Sequence, residues 1–308
     1  RGCFLIQDTS TQDSLGEFRD DEASSPLRAL TEGQLLCGSP TQVCCDKLLS
    51  WGITGFRELG YHIEHWGTDT TPWGKASRCS GEGFVAVHAK ETSPESRRRV
   101  LKEFQTLRSL NDARVVSAEL MYETRFDLWL CLEWCGDFTV ETYMQANGAF
   151  DETAGRALAS QMVQGLAFIH GRGIAHCALR AGALVLDNAG TSLKLSDFAL
   201  AQSIGERAVI ATTPDAERWS APEVDGREAF VDASVDVWSC GMCIYYMMTG
   251  SLPCDSRALD KQESPSRRAM RARVVEQIFS FKALVVQCLQ IAPEQRPSTY
   301  YLLGHLRS

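Results

Sequence analysis

Near residue 136 the apolar residues of this chain change their spacing, and that change limits the fold more than any other feature. Before it, apolar and polar residues alternate, as in FVAVHAK (84–90), the period of a strand with one buried face. Two more strand candidates follow, VVSAELMYE (115–123) and DLWLCLEWC (127–135). Glycines at 52, 55, 60, 67, 74, 81 and 83 mark turns in the same half. One helix interrupts the strands: PESRRRVLKEFQTLRSL (94–110) places apolar residues at 100, 104, 107 and 110, one face of a 3.6-residue repeat. Beyond GDFTVETYMQ the pattern turns to longer helices, the clearest being ETAGRALASQMVQGLAFIHGRG (152–173). The reading is an α+β chain. It has a β-rich small lobe with one helix at 51–136, a helical large lobe at 137–308, and an N-terminal extension at 1–50 expected to pack on the small lobe.

Charge and composition exclude several classes. The chain has 308 residues, 44% hydrophobic and 23% charged, with a net charge of −8. A general nucleic-acid or anionic-membrane binder needs excess positive charge, so no nucleic-acid partner is expected. The longest apolar stretch, GMCIYYMM (241–248), falls well short of the roughly 18 residues of a membrane span. Residues 1–50 hold four Lys/Arg against eight Asp/Glu, so half of the net charge sits in the extension. Twelve cysteines favour an oxidising compartment with some disulfides over free buried thiols. Zinc is disfavoured, because CC at 44–45 and C-x3-C at 131–135 match no common ligand spacing; no metal site is expected.

Five strings carry the chemistry: HCALRAGALVL (176–186), LKLSDFAL (193–200), SAPE (220–223), VDVWSCG (235–241) and APEQRPS (292–298). In this order they resemble the large lobe of the protein kinases: catalytic loop, metal-binding turn, A-P-E segment and core helix. The resemblance implies a two-lobed protein-kinase-like fold. Kinase loops read H-R-D-L-x-x-x-N, where Asp takes the acceptor's proton and Asn holds magnesium. Here those positions are Ala178 and Ala183, and Cys177 replaces the Arg that grips an activation-segment phosphate. In the small lobe, His88 stands where V-A-I-K places the phosphate-binding Lys, and Lys90 lies two residues further along the same strand face. Glu103 fits the helix position that pairs with that Lys. No glycine-rich loop of the family's spacing appears in 51–67. The family's scaffold positions are filled: Asp236 on the core helix, Glu223 and Arg296 as an ion pair, and Trp238 and Phe198 as core anchors. Asp197, the metal-binding carboxylate of the family, is present as well.

From this pattern the expectation is a secreted, catalytically inactive pseudokinase that acts as a protein-interaction or scaffold module, with no cofactor. Asp197, Glu103 and Lys90 would be remnants of its nucleotide site. The alternatives are an enzyme with a rearranged phosphotransfer or nucleotidyl-transfer site using those three residues, and an ATP-sensing switch without turnover. The strand FVAVH, the cysteines and the extension further resemble the apicomplexan rhoptry-kinase family, which implies export to the parasitophorous vacuole or cyst wall and protein partners. Cys254 and Cys288 are the best disulfide candidates, whereas Cys240 and Cys243 read as packed thiols on a buried helix. Oxidation of Cys131 or Cys135 would block the adenine pocket. The basic run SRRAMRAR (266–273) and the Arg97–Arg99 run read first as solvated faces. Thr212 and Thr213 fall where kinases are phosphorylated.

Overall fold

The computed structural model describes residues 34–37, 61–66, 73–78, 84–91, 94–123, 127–210, 214–224, 226–253, 273–274 and 279–306. The chain forms two compact units: one comprises residues 1–104 and 118–134, the other 105–117 and 135–308.

The first unit is built on a six-stranded sheet. In chain order its strands are β1 (Gln34–Cys37), β2 (Tyr61–Trp66), β3 (Trp73–Arg78), β4 (Phe84–Glu91), β5 (Ala118–Glu123) and β6 (Asp127–Glu133). They lie in the order β1-β5-β6-β4-β3-β2, and every pairing is antiparallel. The strand read from the alternation of FVAVHAK is therefore central. It pairs with β3 and β6, and its His88 stands opposite Trp73 and Leu130. Sequence reading missed β1, whose four residues (QLLC) are too short to display a period. It comes from the extension and forms an edge by pairing with β5. Helix α1 (Pro94–Ser109) carries the apolar stripe read from the sequence, with Val100, Phe104, Leu107 and Leu110 all buried. The boundary between the two units falls within this helix.

The second unit is mainly helical. Its major helices are α2 (Val140–Asn147), α3 (Glu152–His170), α4 (Pro214–Glu217), α5 (Ser234–Thr249), α6 (Lys282–Cys288) and α7 (Thr299–Leu306). Thr139 starts α2 with a reciprocal cap: its hydroxyl accepts the Thr142 amide, and its own amide donates to the Thr142 hydroxyl. Such caps satisfy amides that a helix start leaves open. Asp151 caps α3, accepting the Ala154 amide at 2.9 Å. Residues 155, 158, 159, 162, 163, 166 and 169 of α3 are buried at helical spacing. Helix α5 is buried almost all round, including Trp238 at full burial, which marks a core helix rather than an amphipathic surface one. Gly241 lets α6 approach it: a β-carbon there would lie 2.6 Å from the Cys288 Cβ.

That close approach decides the cysteine question in this region. Cys131, Cys240, Cys243 and Cys288 are buried free thiols. The expected Cys254–Cys288 bridge is not borne out, because Cys288 is free and packed against α5; Cys254 lies outside the described residues. Burial raises all four thiols, Cys288 to about 12, so they stay protonated and unreactive at neutral pH. Thr212, Thr213 and most of the 266–273 run also lie outside the described residues. Arg273 at its end donates to the Pro253 carbonyl at 3.1 Å.

Candidate active site

The strands β7 (Phe138–Thr139), β8 (Ile174–Ala175), β9 (Leu184–Leu186) and β10 (Leu193–Leu195) place the loop of interest. A hairpin joins β9 to β10, with Leu186 opposite Leu193 and Leu184 opposite Leu195. Its turn is organised by Asp187, whose carboxylate accepts the amides of Thr191 (2.7 Å) and Ser192 (3.0 Å). Alternating burial in both strands, with the Leu residues inward, fixes the register, since a one-residue slip would turn them outward. That register brings Ser196 and Asp197 back beside the loop of residues 176–183.

One end of this loop is held by a buried carboxylate. Asp236, on the first turn of α5 and fully buried, accepts the His176 amide at 2.7 Å and the Cys177 amide at 2.8 Å. It also lies 2.8 Å from His170 Nε2, at the end of α3. Burial by itself would raise the Asp236 carboxyl, but the His170 hydrogen bond and the nearby His170 and His176 rings hold it below its usual range. Cys177 has φ +61°, a backbone state that costs a non-glycine residue energy. The hydrogen bond that its backbone N–H donates to Asp236 holds it there. The His176 ring is equally committed: Nε2 meets the Ser196 carbonyl at 2.8 Å, Nδ1 accepts the Ala178 amide at 3.3 Å, and the ring lies 4.7 Å from that of Phe198. Burial lowers its pKa, so it sits neutral within a structural network.

The other end of the loop carries the chemistry-bearing positions. Ala178 and Ala183 are both buried, and their methyl groups offer neither a proton acceptor nor a ligand. A short 3-10 turn at Ala181–Ala183 closes on the Arg180 carbonyl, and the Ala183 carbonyl accepts the Ser196 amide at 2.9 Å. Ser196 thus ties both ends of the loop to the segment carrying Asp197. Asp197 is left-handed (φ 62°, ψ 62°), and its Oδ2 accepts Arg180 Nη1 at 2.7 Å. This pair is only partly buried, the side chains being 21% and 35% exposed. Glu141 Oε2, from α2, and Arg180 Nε both approach Gly182: a β-carbon there would lie 2.9 and 3.7 Å from them.

Glu223 and Arg296 meet as the sequence implies, in two bonds of 2.5 and 2.7 Å. The fully buried Arg296 guanidinium also donates to the carbonyls of Ser234, Gln290 and Ile291 and lies 5.2 Å from the Trp238 ring centre. Of the three remnants proposed for a nucleotide site, Lys90 and Glu103 fall in the first unit and Asp197 in the second. His88 and Lys90 occupy central-strand positions on β4, Lys90 opposite Leu128, and Glu103 is buried on α1. Two residues that sequence reading passed over matter here. Arg180 is the only charged side chain of the 176–186 string, and that isolation was the available signal. His170, six residues before His176, gave no signal without the geometry of Asp236.

A family model described as "Protein kinase domain" matches residues 80–306. Among curated proteins, the chain is 29% identical over 164 residues to CBL-interacting serine/threonine-protein kinase 17 of Arabidopsis thaliana, covering 52% of this chain and 38% of that one. It is 30% identical over 214 residues to CBL-interacting protein kinase 4 of Oryza sativa subsp. japonica, covering 67% and 46%. With the maternal embryonic leucine zipper kinase of Xenopus tropicalis it shares 27% over 226 residues, covering 72% and 34%. The chain spans less than half the length of these relatives.

These likenesses correct the expectation of a chain that is not an enzyme, since each relative is named as a kinase. The physical reason is one of magnitude. A positioned base is worth roughly 10²–10⁴ in rate, against total accelerations of about 10⁶ or more, so a methyl at 178 does not by itself exclude catalysis. Magnesium is a separate matter. Kinase ions are held by the metal-turn Asp and the loop Asn, but Ala183 is a buried methyl and Asp197 is paired with Arg180. Among the described residues no group of three His, Cys, Asp or Glu is placed to hold a metal. The donors present do not fit that ion pair.

Proposed function

Because the chain belongs to the protein kinase domain family, we propose that it is a phosphotransferase of the serine/threonine-kinase type with a rearranged site that works slowly. Phosphoryl transfer passes through a loose transition state and depends on positioning and charge neutralisation more than on covalent chemistry. Arg180 supplies the cation. A guanidinium presented to a transferring phosphoryl group is worth about 10³–10⁵ in rate in GTPases. Asp197 orients it, and the Asp236 network fixes the loop that carries it.

The observation that carries this reading is the 2.7 Å Arg180–Asp197 pair on an otherwise preserved scaffold. The acceptor is the hydroxyl of a protein partner. The narrower likeness to rhoptry kinases, and the exported location it implies, belong to the same proposal; they draw on the extension, the strand FVAVH and the twelve cysteines, and the site chemistry does not depend on them.

The test is transfer of labelled γ-phosphate from ATP to a Ser/Thr-rich protein acceptor by the folded chain. Transfer above a protein-free blank that falls to the blank in Arg180→Ala supports the reading. A wild-type rate equal to the blank overturns it.

A further inference from the structure

The mismatch between magnesium and the donors at Arg180–Asp197 leads one step further, resting on the phosphotransfer reading. We infer that Arg180 binds the polyphosphate of a nucleoside triphosphate directly, with no divalent cation between them. Four observations converge on this assignment.

Asp197, the carboxylate that would hold a cation, already accepts a guanidinium at 2.7 Å. The opposite ligand position, Ala183, is a fully buried methyl. Magnesium demands near-octahedral oxygen ligands and sheds water reluctantly, so taking Asp197 would mean displacing Arg180 for a site where the described residues offer no group of three His, Cys, Asp or Glu ligands. Lastly, only Nη1 of Arg180 is engaged by a side chain among the described residues. Its Nε and Nη2 make no hydrogen bond there, and a fifth of the side chain is exposed. A guanidinium keeps its charge at every physiological pH and matches phosphate oxygens two at a time. Asp197, after β10, and Glu141, on α2, bring carboxylates from separate elements to the neighbourhood of Arg180, which steadies it before the ligand arrives. The cation that most phosphotransferases recruit from solution is therefore part of this chain.

The sign of one substitution separates this assignment from a metal-dependent site. If Asp197 were a metal anchor, Asp197→Asn would abolish ATP binding. Where Arg180 binds phosphate, the same change frees the guanidinium from its carboxylate and strengthens binding.

The experiment is a thermal-shift and calorimetric titration of the folded chain with ATP, in EDTA and in Mg²⁺. Expected are a dissociation constant that differs less than about twofold between the buffers, a loss of at least about tenfold in Arg180→Ala, and a severalfold gain in EDTA for Asp197→Asn. Binding seen only with Mg²⁺, EDTA binding that survives intact in Arg180→Ala, or no binding in either buffer overturns the assignment. Should Arg180→Ala fail to fold, Asp197→Asn decides alone, a weakened affinity in EDTA being the contrary result. The two proposals fail separately. Binding in EDTA without phosphate transfer sinks only the phosphotransferase, and transfer that requires Mg²⁺ sinks only the metal-free site.

Discussion

The two ends of the loop between His176 and Ala183 are built on different terms. At the first, a fully buried carboxylate on α5 gathers two backbone amides and a histidine, and every donor there is committed. At the second, two methyl groups line the positions that carry chemistry in related enzymes, and the Arg180–Asp197 ion pair is partly open to solvent. Buried polar partners are costly to leave unmade, so the first end belongs to the fold. Surface-accessible pairs contribute little to stability, so the second can change with small structural consequence. The residues that hold the fold and the positions that carry chemistry in related enzymes are thus separable within eight residues.

If that contrast is sound, the largest stability effect follows from Asp236→Ala. It leaves the His176 and Cys177 amides and the His170 ring without an acceptor, at about 1–3 kcal/mol for each buried group. A loss of about 3–5 kcal/mol in urea unfolding is expected; a loss below about 1 kcal/mol would break the comparison. Arg296→Met comes next, at about 3 kcal/mol, because it strands Glu223 and three carbonyls. Glu223→Gln should cost less, since that carboxylate is 28% exposed and water replaces part of what is lost.

A pH series sharpens the same contrast. His176 is held neutral by burial, its folded pKa below the ordinary 6.5. The unfolded chain then binds the extra proton first, and stability is full above pH 6.5 and falls as pH drops below it. The slope approaches about 1.4 kcal/mol per pH unit for one proton, and His176→Asn should flatten it. The smallest effect is expected at the open end. Arg180→Ala should change unfolding free energy by less than about 1 kcal/mol while removing phosphate transfer, and a large stability loss would show that this end too serves the fold.

Much of this was legible in the sequence, for identifiable reasons. Period-two and period-3.6 patterns gave β4, β5, β6, α1 and α3, because burial of one face dictates those spacings. The Glu223–Arg296 pair was legible because ordered family strings fix the positions of both partners. The Asp236 network was half legible: its carboxylate could be named, but His170 joins it only through the packing of α3 on α5. The Arg180–Asp197 pair was missed because it depends on the β9–β10 register, which returns Asp197 to the loop seventeen positions after Arg180. A disulfide was inferred from cysteine number, yet Cys288 is spent in helix packing beside Gly241, which composition cannot reveal. The inactive-enzyme expectation weighed absent side chains without weighing the charge that remained.

The most direct test of the central claim restores the missing base. If the methyl at 178 is what most limits transfer, Ala178→Asp should raise labelled phosphate transfer by about 10²–10⁴ in a chain that still folds. A folded Ala178→Asp chain that transfers phosphate no faster than the wild type would contradict it.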